Sequence, residues 1–226
     1  MRSFFDICRQ LLAWEGELWH IIGITLRTSA ASTLLSFIIG SVLGVLVGMH
    51  GFRGKNLLLS TLSTFMGLPP VLAGLIVFFL LSRSGPLGSW QLLYSVQAMV
   101  VAQVILILPV VIHLTAVAVG KKAPDILETL LGLGVSRRRC FRLILREIRA
   151  ELFTVFFLGF GRAISEVGAA QLVGGNIQYK TRVMTTAIVL ETNKGNFTLA
   201  AALGVLLLIL ALGINVLART LGRDYL

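Results

Sequence analysis

KKAPDILETLLGLGVSRRRCFRLILREIR, residues 121–149, is the one long polar stretch in a chain of 226 residues that is 56% hydrophobic and 13% charged. It holds eight of the 20 Lys and Arg (Lys121, Lys122, Arg137, Arg138, Arg139, Arg142, Arg146, Arg149), so the basic charge is gathered rather than spread over a surface. Leu127, Leu130, Leu131 and Leu133 fall at helical spacing, as do Phe141, Ile144, Leu145 and Ile148. Between the two runs, Gly132-Leu133-Gly134-Val135-Ser136 offers glycine for a turn and a hydroxyl that can cap the next helix. The spacing predicts helix, glycine turn, helix, standing outside the lipid between two membrane spans. A plain solvated basic hairpin would show the same pattern.

Working outward, the flanks are apolar enough to decide the class. Soluble domains of this size are rarely so hydrophobic, so the expected fold is all-α, a polytopic helical membrane protein. A net charge of +10 would suggest nucleic acid in a soluble protein. Here the basic residues cluster between apolar runs, which suits cytoplasmic loops and anionic lipid headgroups, and nucleic acid is not expected as a partner.

Five spans of about 20 residues are expected at 28–49, 57–81, 92–120, 152–175 and 197–218, within a transmembrane domain of 28–218. Residues 1–27 read as an interfacial helix: Phe4, Cys8, Leu11, Leu12, Leu18, Trp19 and Ile22 share a face. Residues 121–149 are expected as a long loop outside the lipid and 219–226 as a tail. The loops at 50–56, 121–149 and the tail carry twelve Lys and Arg, against seven in 1–27, 83–91 and 176–196. The first set is therefore expected in the cytoplasm, with the amino terminus outside and the carboxyl terminus inside.

Within the spans a few residues stand out. Gly40, Gly44 and Gly48 repeat every four residues, favouring close helix packing over a pore lining. Pro69-Pro70 break the second span, as a packing kink or as a bend lining a pathway, and the freed carbonyls must find partners. His113 reads as a satisfied structural group rather than a ligand. Arg162 and Glu166 are the only charges placed deep in a span; four apart on a helix, they would share a face and form either a self-neutralising pair or a gate. Gly54-Lys55-Asn56 is not a phosphate loop, since Met49 replaces the first glycine and Asn56 the Ser or Thr. No nucleotide-binding motif, cofactor or metal site is expected, and no catalytic residues.

The 121–149 stretch resembles the coupling loop of ABC importer permeases. Glu128, Gly134 and Ile144 match the family spacing, while Thr129-Leu130 and Arg146-Glu147 depart from it. Gly67-Leu68-Pro69-Pro70 resembles a proline-containing stretch of molybdate-type permeases. Gly161-Arg162-Ala163-Ile164-Ser165-Glu166-Val167-Gly168-Ala169 resembles a segment of molybdate and tungstate permeases, and residues 174–197 look closest to the tungstate branch.

The resemblance implies a type I ABC importer permease fold in a prokaryotic cytoplasmic membrane. It implies a homodimer whose interface forms the pathway, a separate cytoplasmic ABC ATPase dimer, and an extracytoplasmic oxyanion-binding protein. The substrate expected first is tungstate, with molybdate, sulfate or phosphate as alternatives. The implied ATPase-coupling residues are Glu128, Gly132, Gly134, Ser136 and Arg138. Pathway or gate candidates are Pro69, Pro70, Arg162, Ser165 and Glu166. A stand-alone ion-coupled transporter would instead predict acidic sites in several spans or inverted repeats. A non-transporting membrane scaffold is the other alternative.

Overall fold

The computed structural model describes residues 15–222, and among them every regular element is a helix. In chain order these are α1 (Glu15–Met49), α2 (Lys55–Met66), α3 (Pro70–Leu81), α4 (Val96–Gly132), α5 (Arg137–Glu147), α6 (Arg149–Ile164), α7 (Gly168–Gly174), α8 (Met184–Asn193) and α9 (Phe197–Gly222), with a 3-10 turn at Gly88–Trp90. Gly16–Met49, Val96–Lys122 and Phe197–Val216 are each long and apolar enough to cross a membrane. The pairs α2–α3 and α6–α7 meet the same criterion jointly but bend by 96° and 58°.

The boundary expected at residue 27 marks no helix end: α1 runs unbroken from Glu15 to Met49. The first fourteen residues of the expected interfacial helix, with Cys8, lie outside the described residues. The first helix of the hairpin is likewise no separate element but the end of α4, which continues to Gly132. No proline or glycine interrupts Lys121 to Leu131 apart from Pro124, and that proline is carried within the helix. The segment 176–196, expected as a loop, contains α8. Ten residues are too short to span, yet Met184 and Ala187 are buried with Ile21, Ile22, Leu199 and Leu203. Met184 N–H donates to Thr25 Oγ1 at 2.9 Å, tying α8 to α1.

The central contact is α1 on α4. A Cβ at Gly40 would come within 2.8 Å of Val111, at Gly44 within 2.6 Å of Thr115, and at Gly48 within 2.5 Å of Val119. The four-residue glycine repeat is therefore a packing seam, which hydrogen in place of a side chain makes possible. Polar side chains fill the same core. Ser32 Oγ donates to Gln103 Oε1 at 2.7 Å, and Gln103 Nε2 donates to the Ala163 carbonyl at 3.1 Å, joining α1, α4 and α6 in one buried chain. His113 differs from expectation, because its buried Nδ1 has no hydrogen-bond partner.

The outward surface is apolar. Leu34, Leu35, Ile38 and Ile39 of α1 and Leu208, Ile209 and Leu212 of α9 are all exposed. In water such a surface would be costly; against lipid tails it is matched to its solvent.

Candidate functional site

The two bent pairs cross each other, and most sequence-flagged pathway residues lie at the crossing. In the first pair, Pro70 opens α3, where its missing N–H costs nothing. Pro69 before it is extended (φ −60°, ψ 126°), as a residue preceding proline must be. Gly67 and Leu68 N–H groups turn back onto the Thr64 and Phe65 carbonyls, closing the end of α2. That leaves the Met66 and Leu68 carbonyls without helical donors. Arg162, from α6, supplies them: Nη1 donates to Met66 O at 2.8 Å and Nη2 to Leu68 O at 3.5 Å. Its Nε is buried without a partner.

The second pair breaks without proline. Ser165 Oγ donates to the Gly161 carbonyl at 2.9 Å and the Arg162 carbonyl at 3.2 Å, competing with the helix's own ladder. Glu166 is 5% exposed and follows the end of α6. Its Oε1 accepts from Ala169 N–H at 2.9 Å, satisfying a free donor at the start of α7, and its carbonyl accepts from Thr185 Oγ1 at 2.7 Å.

The expected Arg162–Glu166 pair is thus corrected. Four-residue spacing places two side chains together only on a continuous helix, and α6 stops at Ile164. Among the described residues no ion pair joins them. Each serves a different break. The pairs then lock face to face: a Cβ at Gly74 would lie 2.6 Å from Ala169 Cα, and one at Gly168 2.7 Å from Val71 Cγ2.

The residues expected to couple to the ATPase form a second locus at the far end of α4. Gly134 has φ +70°, a left-handed conformation that glycine adopts freely, and Val135 N–H donates back to Leu130 O at 3.0 Å. This six-to-one bond closes α4 in the Schellman manner. Ser136 occupies the N-cap position of α5, but its side chain makes no capping bond; its carbonyl instead accepts from Arg139 and Cys140 N–H. Leu133 at the tip is 74% exposed. The side chains of Glu128 and Arg138 lie outside the described residues.

The α5 helix is amphipathic. Cys140, Ile144 and Ile148, four apart, are buried, the two isoleucines against Val45 and Val119. Arg139, Arg142 and Arg146 are exposed. Lys122 braces the elbow, pairing with Glu151 at 2.9 Å and donating to the Glu147 carbonyl at 3.3 Å. So α4, α5 and α6 meet at one corner.

Sequence reading missed Gln103, Thr185 and the Lys122–Glu151 brace. Gln103 left a signal, as the one polar residue in Val100-Val101-Ala102-Gln103-Val104-Ile105. Thr185 left none, because its role depends on a contact nineteen residues away. Among the described residues no group of three or more His, Cys, Asp or Glu could hold a metal ion.

Comparison with known proteins places this arrangement. Residues 40–225 match the family described as binding-protein-dependent transport system inner membrane component. A probable anion ABC transporter permease protein of Haloferax volcanii is 40% identical, covering 90% of this chain and 92% of its own length. The tungstate uptake system permease proteins TupB of Peptoclostridium acidaminophilum and Campylobacter jejuni are each 37% identical, covering 95% and 89% of this chain and 94% and 84% of their own lengths.

Proposed function

The chain belongs to the family of binding-protein-dependent transport system inner membrane components, the permeases of ABC importers, and we propose that it carries tungstate as one half of a homodimeric pathway. It is a multi-pass membrane permease for an anion, and its relatives are transport proteins rather than catalysts. The tungstate reading is supported by two tungstate uptake permeases that match almost the whole chain. Molybdate, sulfate or phosphate are the competing cargoes.

The observation that carries the mechanism is Arg162 of one broken pair holding the Met66 and Leu68 carbonyls of the other. These are the contacts a pathway must rearrange to open, so Pro69, Pro70, Arg162, Ser165 and Glu166 form the gate region at the dimer interface. Energy enters at the other end. A separate ATPase dimer docks on the hairpin in the cytoplasm, with Glu128, Gly132, Gly134, Ser136 and Arg138 at or near the contact and exposed Leu133 as the apolar knob. Its motion is passed on rigidly, because α4 is continuous and α6 starts beside the Lys122–Glu151 brace. An extracytoplasmic protein delivers the oxyanion on the opposite face, where the amino terminus lies.

Vesicles carrying the permease, its ATPase and its capture protein test the reading. ATP-dependent tungstate accumulation, displaced by molybdate more readily than by phosphate, is the expected outcome. Uptake that follows an ion gradient without ATP would sink it. Gly134→Trp is expected to abolish retention of the ATPase in a pull-down while the permease dimer persists on size exclusion. Full retention would remove the hairpin from the docking site.

A further inference from the structure

At the end of α4 away from the hairpin, the loop 82–95 forms an open cleft of about 620 Å³ lined in part by the exposed residues Arg83, Ser89, Gln91 and Tyr94. All four side chains can donate hydrogen bonds, and no carboxylate lines the cleft. Arg83 is unengaged. In segment 176–196 Arg182 pairs with Glu17 and Lys194 with Glu191, but among the described residues no carboxylate pairs with Arg83.

The backbone here is held in an unusual form. Gln91 (φ 51°) and Tyr94 (φ 62°) both sit in the left-handed region that non-glycine residues seldom occupy. Tyr94 is kept there by its N–H bond to Val173 O at 2.8 Å and by its ring, which a Cβ on Gly175 would strike at 2.7 Å. Such conformations persist where the surroundings over-determine them, often at ligand sites. The cleft therefore sits where the far ends of α3 and α7 come together, beside Leu81 and Val173.

We propose that this cleft is a holding site for a tetrahedral oxyanion dianion on the permease itself, with Arg83 as its charge partner and Ser89, Gln91 and Tyr94 as neutral donors. The inference rests on the oxyanion reading above and deepens it. A guanidinium presents parallel N–H groups that match two oxygens of such an anion, and a lining with a fixed positive charge and no carboxylate favours an anion over a cation. The site lies one helix away from the gate. The twelve residues of α3 reach from the cleft to the break held by Arg162, about 18 Å at the helical rise.

The test uses the permease–ATPase complex in nanodiscs of zwitterionic lipid, without capture protein, titrated with sodium tungstate at constant ionic strength in a calorimeter. One saturable site per permease chain is expected. Arg83→Gln is expected to raise Kd at least about tenfold, Arg83→Lys to recover part of that, and Lys180→Gln to change nothing. Sulfate should compete.

No saturable binding to the wild type, unchanged affinity in Arg83→Gln, or equal loss in Lys180→Gln would each overturn the proposal, the last by showing diffuse surface charge. If Arg83→Gln spares tungstate binding but abolishes docking of the capture protein, the cleft is a protein contact and the proposal also fails. Complete vesicles separate this from the function itself. ATP-driven tungstate uptake by a permease that binds no tungstate alone rejects only the holding site, whereas no oxyanion uptake at all rejects the transport reading.

Discussion

The pair α2–α3 breaks at two prolines and turns by 96°, while α6–α7 breaks at Ser165-Glu166-Val167 with no proline and turns by 58°. The first break is made by covalent chemistry and satisfied from outside, by Arg162. The second is made and satisfied largely by its own side chains, with Ser165 bonding backward and Glu166 capping forward. In a membrane no water is at hand to accept the freed groups, so each break needs partners from protein. The comparison teaches that the first break leans on the second pair: its donor is carried one turn before the second break.

That dependence can be attacked directly. Arg162→Ala removes both donors to the first break and should cost about 3 kcal/mol or more, read as a lowered thermal midpoint and loss of folded protein in detergent. An unchanged midpoint would mean the Met66 and Leu68 carbonyls find other partners. Gly74→Val presses a side chain onto Ala169 and should cost about 1–3 kcal/mol, with transport falling more than stability if the crossing moves during the cycle.

Glu166→Gln keeps an oxygen for Ala169 N–H, so only about 1 kcal/mol is expected from it. The double variant Arg162→Ala/Glu166→Gln sharpens the point. Because the two side chains serve separate breaks, their costs should add; recovery in the double variant would restore the ion-pair reading. Ser165→Ala is the smallest change, expected within about 0.5 kcal/mol, because its hydroxyl is exposed and the Gly161 carbonyl also accepts from Ser165 N–H.

Much of the plan was legible beforehand. Apolar runs marked the membrane helices, since lipid imposes length and composition on any segment that crosses it. Gly134 announced its turn because only a residue without Cβ takes φ +70° without strain. Pro69-Pro70 announced the first break, and the glycine repeat announced the seam on α4. The second break was not legible. Nothing in Arg162-Ala163-Ile164-Ser165-Glu166-Val167 forbids a helix, and the same four-residue spacing that suggested an ion pair assumes that the helix continues.

By itself, then, the amino-acid sequence determined an all-helical chain with segments apolar enough to span a membrane, a glycine turn in its basic stretch and a proline break. Those properties follow from local composition and backbone sterics, which need no distant partner. Only the tertiary structure decided what Arg162 and Glu166 do, that 184–193 folds as a buried helix, and that Lys122 braces the corner where α4, α5 and α6 meet. Each of these depends on groups brought together from separate parts of the chain. The carbonyls Arg162 satisfies are ninety-six and ninety-four residues away, and their need for a donor arises only once lipid and protein have excluded water.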